Sequence, residues 1–321
     1  MSSHPIHAVA LGGGHGLAAS LRALRRLTPH LTAVVGVSDN GGSSGRLRDQ
    51  FNVIPPGDLR MALAALCAED EWGQLWADAL QHRFEGDGDL AGHALGNLLI
   101  TALWQQSDDI VAGLDVVSTL LGAKGRVLPL SLQPLDVVAD VNFGDGSNGV
   151  VRGQVQVATT TGRVQSVRLE PADASATPEA LEAIAQADLV VMGPGSWFTS
   201  VANHLLVDDL REVLESSAAT KVLVCNLCNQ AGETAGFTPA DHLAVLAELA
   251  PGLRFNAVLV DSSLTDSALE AAAGQLGAEL VSTPLADSDN AQIHSPELLA
   301  GALAAFVQSP MKISEVETAW Q

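Results

Sequence analysis

The chain contains no tyrosine, only three cysteines, and only 16 lysines and arginines against 37 aspartates and glutamates in 321 residues. Each scarcity closes off a class of function. A formal charge of −21 argues against a nucleic-acid partner, because such an interface runs on basic side chains meeting phosphates. A generic role at an anionic membrane surface is disfavoured for the same reason. Three cysteines, an odd number without regular spacing, cannot form a disulfide framework and point to a reducing compartment. Cys225 and Cys228 do form a CxxC, but no second ligand pair lies nearby, which argues against zinc or redox chemistry. No stretch approaches 18 apolar residues free of charge or glycine. The start, MSSHPIHAVAL, also lacks the basic head and long apolar run of a signal peptide. The expectation is a cytoplasmic protein with no membrane insertion. Neither a GxxxxGK[ST] loop nor a GxSxG elbow occurs, so a P-loop NTPase and an α/β-hydrolase do not fit.

What is present is apolar material and glycine. Apolar residues make up 47% and charged residues 17%, enough for a buried sheet covered by helices on both faces. The apolar excess also leaves room for a homodimer face. Charge is unevenly placed: residues 1–60 carry six basic residues (Arg22, Arg25, Arg26, Arg46, Arg48, Arg60) against three acids, a net of +3, which leaves −24 for the remainder. A locally basic region on an acidic protein suits a small anionic ligand.

The order of patterns is that of an α/β sheet. Residues 6–11 form an apolar run that ends in Gly12-Gly13-Gly14-His15-Gly16, after which Leu17, Leu21, Leu24 and Leu27 recur at helical spacing. A second run, Leu31 to Val37, ends in Ser38-Asp39-Asn40 before Gly41-Gly42-Ser43-Ser44-Gly45. A helix-rich block follows from Pro55 to about residue 121. Residues 127–170, with quick alternation and frequent turns, read as an antiparallel β elaboration. Strand and helix then alternate, with strands expected at 188–192, 221–225, 257–260 and near 278–282, and a helix after the Gly193-Pro194-Gly195-Ser196 loop. This predicts a Rossmann-like, doubly wound, mostly parallel α/β sheet in one domain over 1–309, with a loose tail over 310–321.

Glycine loops at strand-to-helix turns let backbone N–H groups approach a phosphate, while the helix start adds a partial positive charge. Gly14, Gly16 and Ala19 satisfy GxGxxG/A in that context; a turn that merely allows close helix packing is the alternative. Asp39 ends the second strand, where dinucleotide sites place an acid for ribose hydroxyls, but the glycine-serine cluster behind it is foreign to such folds. Gly41 to Gly45 could form a second anion nest, with Ser43 and Ser44 as hydroxyl donors and Arg46 and Arg48 as charge partners, and Asp39 could instead hold a divalent metal. Asp58 is placed either to cap a helix or to act chemically, and Arg60, in the same first turn, calls for an acidic partner or a ligand. His93, in GHALGN, is a ligand contact or a packed imidazole; Asn97 follows it. Gly193, Pro194, Gly195 and Ser196 form a third loop, with Thr199, Ser200 and Asn203 on the next turns. Asn226, Asn229, Gln230, Glu233 and Thr234 could read a base or sugar edge.

Taken together, GGGHGL, SDNGGSSGRLR, PPGDLR, GHALGNLL, MGPGSWFTS and the NQAGET stretch resemble the gluconeogenesis-factor (YvcK-like) branch of the CofD-like proteins, from residue 7 to about 240. The resemblance implies a Rossmann-like fold with its site at the strand ends. It also implies a nucleotide-sugar ligand, UDP-N-acetylglucosamine being the first choice, and a regulatory role in carbon metabolism, cell shape and wall-precursor supply. Its enzymatic cousins, 2-phospho-L-lactate transferases, use a guanine nucleotide and a divalent metal, which keeps a magnesium-dependent phospho-transfer or nucleotidyl-transfer activity as the alternative, with Asp39 and Asp58 as candidate catalytic residues. The phosphate-contacting positions carry over onto Gly12 to Gly16, Asp39 to Ser44 and Gly193 to Ser196. Trp197-Phe198 stand where the family has leucine-tyrosine, so Trp197, Phe198 or Phe237 would supply any ring stacking. The sequence names no regulatory protein partner and no resident cofactor.

Overall fold

A computed structural model describes residues 5–107, 109–228 and 232–308. The apolar run at the start forms β1 (His7–Gly12), and the leucine-periodic segment forms α1 (Gly14–Leu24). β2 (His30–Val35), α2 (Gly42–Phe51), α3 (Gly57–Leu66), α4 (Glu71–Gln81), α5 (Leu95–Trp104) and α6 (Ile110–Leu121) follow. Next come β3 (Arg126–Pro129), β4 (Asp136–Asn142), β5 (Asn148–Arg152), α7 (Gln154–Ala158), β6 (Arg163–Glu170) and α8 (Pro178–Ala185). The last third contains β7 (Leu189–Met192), α9 (Asp208–Ser216), β8 (Thr220–Val224), α10 (Pro239–Leu249), β9 (Ala257–Asp261), α11 (Ser267–Gln275), β10 (Glu279–Thr283) and α12 (Pro296–Gln308).

Seven parallel strands form the main sheet in the order β10-β9-β8-β7-β1-β2-β3. Every residue of β7, β8 and β9 is buried, as expected of strands covered on both faces, which have no polar side to alternate with. From β1 the chain steps outward to β2 and β3, then re-enters on β1's other flank at β7 and steps the opposite way. Right-handed crossovers therefore place the crossover helices of the two halves on opposite faces, while α12, after the last strand, returns to pack beside α1. The boundary between β1 and β7 is the topological switch point, beyond whose carboxyl ends α/β sheets bind ligands.

β4, β5 and β6 form a separate antiparallel sheet in the order β5-β4-β6. It is shorter than the turn-rich stretch of sequence suggests, because residues 126–129 pair in parallel with Thr32 to Val35 as the outer strand of the main sheet. Short local patterns could not show this, since the partner strand lies roughly 90 residues upstream. The segment after Gly193–Ser196 also departs from expectation. It forms a π turn over Trp197–Val201 and a 3₁₀ turn over Ala202–Leu206, with Ser196 O accepting from both Ser200 N at 2.9 Å and Val201 N at 3.0 Å. The expected tail over 310–321, like Asn229 and Gln230, lies outside the described residues.

Candidate functional site at the switch point

β1 ends at Gly12, and α1 starts with no capping side chain of its own on Gly13. Gly14 has φ +58°, a left-handed conformation that strains any residue with a Cβ. A Cβ on Gly13 would fall 2.5 Å from Asp58 Oδ2 and 3.3 Å from Ser200 Oγ. Its absence lets the Asp58 carboxylate reach the start of α1. A Cβ on Gly16 would fall 2.5 Å from the Pro194 carbonyl carbon and 2.7 Å from Gly195 Cα, so bare backbone there is what admits the loop after β7. That loop is tied in place. Ser20 Oγ donates to Gly193 O at 2.7 Å, while Asn226 accepts from Gly195 N at 2.9 Å and donates to Gly195 O at 2.8 Å.

The next loop joins from the other side. Asp39 Oδ1 accepts from Gly41 N at 2.9 Å, just before α2. A Cβ on Gly57 would lie 3.0 Å from Asp39 Oδ2 and closer still to Ser44 Oγ, so the start of α3 packs directly on the start of α2. Ser43 Oγ in turn meets His93 Nδ1 at 3.0 Å, the Asn97 side-chain amide at 3.0 Å and Ala94 N at 3.4 Å, at the start of α5. α4, α6, α10 and α11 each begin on a capping side chain (Asp70, Asp109, Thr238, Asp266). α1, α2, α3 and α5, like α7, α8 and α9, have no such cap, and these first four starts are linked to one another through Asp58, Gly57 and Ser43. Helix starts carry unpaired N–H donors and partial positive charge, so their convergence favours an anion.

The electrostatics follow from crowding. Burial raises the Asp58 carboxyl to about 7, with the Asp39 charge adding to the rise and the Gly14 N–H and Arg60 opposing it. Arg60 is only 4% exposed and donates to Gln81 Oε1; burial, then the charge of Arg83, lowers its guanidinium to about 10. Burial, then the charges of Arg46 and Arg83, lowers the His93 imidazole, whose Nδ1 meets Ser43 Oγ.

Several expected contacts are already engaged by the protein. Asp58 is not a helix N-cap: Pro56 holds that position and the carboxylate turns to α1 instead. Asn40 spends its side chain on α7, accepting from Val155 N at 3.0 Å and donating to Gln156 Oε1 at 2.8 Å. Arg48 pairs with Asp136 at 2.6 Å and belongs to the α2–β4 packing. Asn203 donates to Thr199 O at 2.8 Å and is buried against Gly36 and Ser38. Glu233, far from reading a ligand edge, is 2% exposed and accepts from Phe198 N at 3.3 Å; burial raises it to about 7 against the N–H groups of Trp197, Phe198 and Thr199. Trp197 stacks on His242 at 4.7 Å and Phe198 meets Phe237 edge-on at 5.8 Å; all four side chains are buried, and Phe198 and Phe237 line a separate cavity of about 730 Å³ between β6 and α10. Cys225 is buried, its thiol pushed up to about 12, whereas Cys228 is exposed.

What stays open is smaller. His15, Gly16, Pro194, Gly195, Asn226 and His294 line a cavity of about 170 Å³ at the switch point. Asp39 and Asp58 are half-buried, Gly14 and Ser196 partly exposed, and Gly42 and Arg46 exposed. A cavity of about 490 Å³ lined by His7, His30 and Arg126 opens at the opposite, amino ends of β1 and β2, away from every glycine loop. Arg83 escaped the sequence reading. It stands ten residues before His93 in a loop, and only an antiparallel bridge between Arg83 and Ala94 brings it beside the α5 start.

Comparison with known proteins agrees with the fold. The family described as 2-phospho-L-lactate transferase CofD matches residues 8–296. A Mycobacterium tuberculosis protein named "Putative gluconeogenesis factor" is 48% identical over 314 residues, covering 96% of this chain and 92% of its own length. A Listeria innocua protein named "Gluconeogenesis factor" is 42% identical over 240 residues, covering 75% of this chain and 72% of its own. A Bacillus halodurans crystal structure of a UPF0052 family member superposes with a TM-score of 0.83 at 33% identity, covering 94% of this chain and 99% of that one. No helix among the described residues is long and apolar enough to cross a membrane. With residues 8–296 matched by the family and 96% of its length covered by a relative at 48% identity, the chain belongs to the CofD family.

Proposed function

We propose that this protein is a nucleotide-sugar-binding regulator of the gluconeogenesis-factor type, with UDP-N-acetylglucosamine as its ligand and carbon metabolism, cell shape or wall-precursor supply as its output. The observation that carries the reading is the meeting of four helix starts without capping side chains beyond β1 and β2, beside a cavity at the switch point. Main-chain N–H groups at His15 and Gly16 would take the diphosphate, with Arg46 supplying charge at the rim. A regulatory role fits because the hydroxyl of Ser43 and the side-chain amides of Asn40, Asn203 and Asn226 are committed to fold contacts, which suits holding an anion more than transforming it. The cytoplasm is the compartment where such a ligand and free thiols coexist.

One observation favours the transferase reading. Asp39 and Asp58 are half-buried and close enough for one charge to raise the other, a donor pair that fits magnesium completed by phosphate oxygens. When bound there, magnesium would neutralise charge on a phosphoryl group. Asp39 and Asp58 would hold the ion, and Arg60 would balance the pair from its buried position.

A thermal-shift panel separates the two. A ligand at 100 times its Kd stabilises by about 2.7 kcal/mol, roughly 5 °C for a chain of this size. Selective response to UDP-N-acetylglucosamine without turnover supports the regulator. Magnesium-dependent product from a guanine-nucleotide donor, abolished in Asp39→Ala with folding intact, supports the transferase. Response to NAD alone would defeat both.

A further inference from the structure

We propose that Arg83 and Arg46 form a two-arginine clamp for a phosphoryl group of the ligand, at the rim of the site beside α5. The two side chains come from different elements and meet at one turn: Arg83 donates to Gly92 O at 2.8 Å, and Arg46 donates to Ala91 O at 2.8 Å and Asp89 O at 3.5 Å. The turn is held rigidly, with Gly92 N bonded to Phe84 O at 2.8 Å, Phe84 N to His93 O at 3.1 Å, and Gly92 at φ +74°. Both residues are exposed. Their charges act on the same imidazole, His93, which is bonded to Ser43 at the start of α2.

Charge pairing makes the arrangement informative. Glu85, Asp87 and Asp89 stand in the same loop and acids outnumber bases by 37 to 16 in the chain, yet neither arginine forms an ion pair among the described residues. Seven other arginines do, including Arg25, Arg48 and Arg126. Arg46 and Arg83 instead rest on neutral carbonyls, and Arg83 lies close enough to the buried Arg60 to depress it. Two like charges kept together on weak acceptors retain most of their five donors apiece for a stronger one. Planar guanidinium forks match the oxygens of a phosphoryl group, and charge-assisted bonds to it exceed bonds to carbonyls. The clamp therefore completes, with side chains, the anion field that the helix starts begin with their main chain.

This inference rests on the phosphorylated-ligand reading above, and its test keeps the two apart. Titrate wild type, Arg83→Gln, Arg46→Gln, the double variant and Arg83→Lys with UDP-N-acetylglucosamine, inorganic pyrophosphate and uridine by calorimetry, at two salt concentrations. The expected result is at least a tenfold weaker affinity for UDP-N-acetylglucosamine in Arg83→Gln, a flatter salt dependence, further loss in the double variant and partial retention in Arg83→Lys, with melting unchanged. Binding of the nucleotide sugar by wild type and by Arg83→Gln within twofold of each other overturns the clamp alone. Arginine-dependent binding of pyrophosphate without any nucleotide-sugar binding upholds the clamp and overturns the choice of ligand. Failure of wild type to bind either phosphorylated probe overturns both.

Discussion

Replacing Gly16 by alanine tests the packing on which the site depends. The new methyl would sit 2.5 Å from the Pro194 carbonyl carbon and 2.7 Å from Gly195 Cα, and both neighbours are main chain that no rotamer change can move. Ordinary contact needs about 3.4 Å or more, so α1 and the β7 loop must part by roughly 1 Å. The loop resists this, because Ser20 Oγ holds Gly193 O at 2.7 Å and Asn226 holds both polar groups of Gly195. Overpacking of this kind costs about 1–3 kcal/mol, which lowers the melting temperature by roughly 2–12 °C at about 2–4 °C per kcal/mol. Because the shift moves the start of α1 against the cavity, ligand affinity should fall by about tenfold or more. Differential scanning fluorimetry with and without UDP-N-acetylglucosamine measures both effects. Gly274→Ala is the control: nothing lies within 4 Å of its added methyl in α11, so a neutral or stabilising change is expected, up to about 1 kcal/mol. Should Gly16→Ala melt and bind as wild type does, the close approach of α1 to the β7 loop is not a working part of the site.

Glu233 makes stability depend on pH. Its carboxyl is raised from 4.5 to about 7 in the folded chain, so the native state holds the proton more tightly; that stabilisation is complete below pH 4.5 and is lost as pH rises through 7. The difference amounts to about 3 kcal/mol, and urea titrations of Glu233→Gln should show a flatter stability profile between pH 5 and 8 than wild type. At the acid side the sign reverses: His204 and His242 are buried neutral, lowered to about 4, and the stability they confer is lost as pH falls from 6.5 through 4. A protein whose stability holds level across pH 6.5 to 4 in circular-dichroism melts would contradict their burial. Asn203→Ala removes the bond to Thr199 O beside Gly36 and should cost about 1–3 kcal/mol in urea denaturation; an unchanged midpoint would show that the bond carries no stability. An Ellman assay on native protein should label Cys228 at once and leave Cys67 and Cys225 protected until denaturant is added, since only the first is exposed. Equal labelling rates would contradict the burial of the other two.

Local chemistry carried much of this protein into view. The glycine loops after β1 and β7 are legible because only residues without a Cβ can let main chain approach main chain, and such residues mark themselves wherever they stand. Strand positions at β7, β8 and β9 follow from short apolar runs, which a doubly covered sheet requires. Asp39, Asp58 and Arg60 are readable as a charged group near those loops, but not what each one does. Asp58 looks like a cap from its place in the helix and serves α1 instead, because Gly13 leaves space that no linear pattern reveals.

Thus the succession of strands, turns and helices, the sites of close backbone approach and the acid-rich, disulfide-free character were settled by the chain's own residues, each through its nearest neighbours. Tertiary structure alone decided that residues 126–129 join the main sheet, that Asn40, Arg48 and Glu233 serve the fold, and that Arg83 stands with Arg46. The physical reason is range: conformational preferences act over a few residues, whereas a hydrogen bond or a charge acts through space on whatever packing brings near.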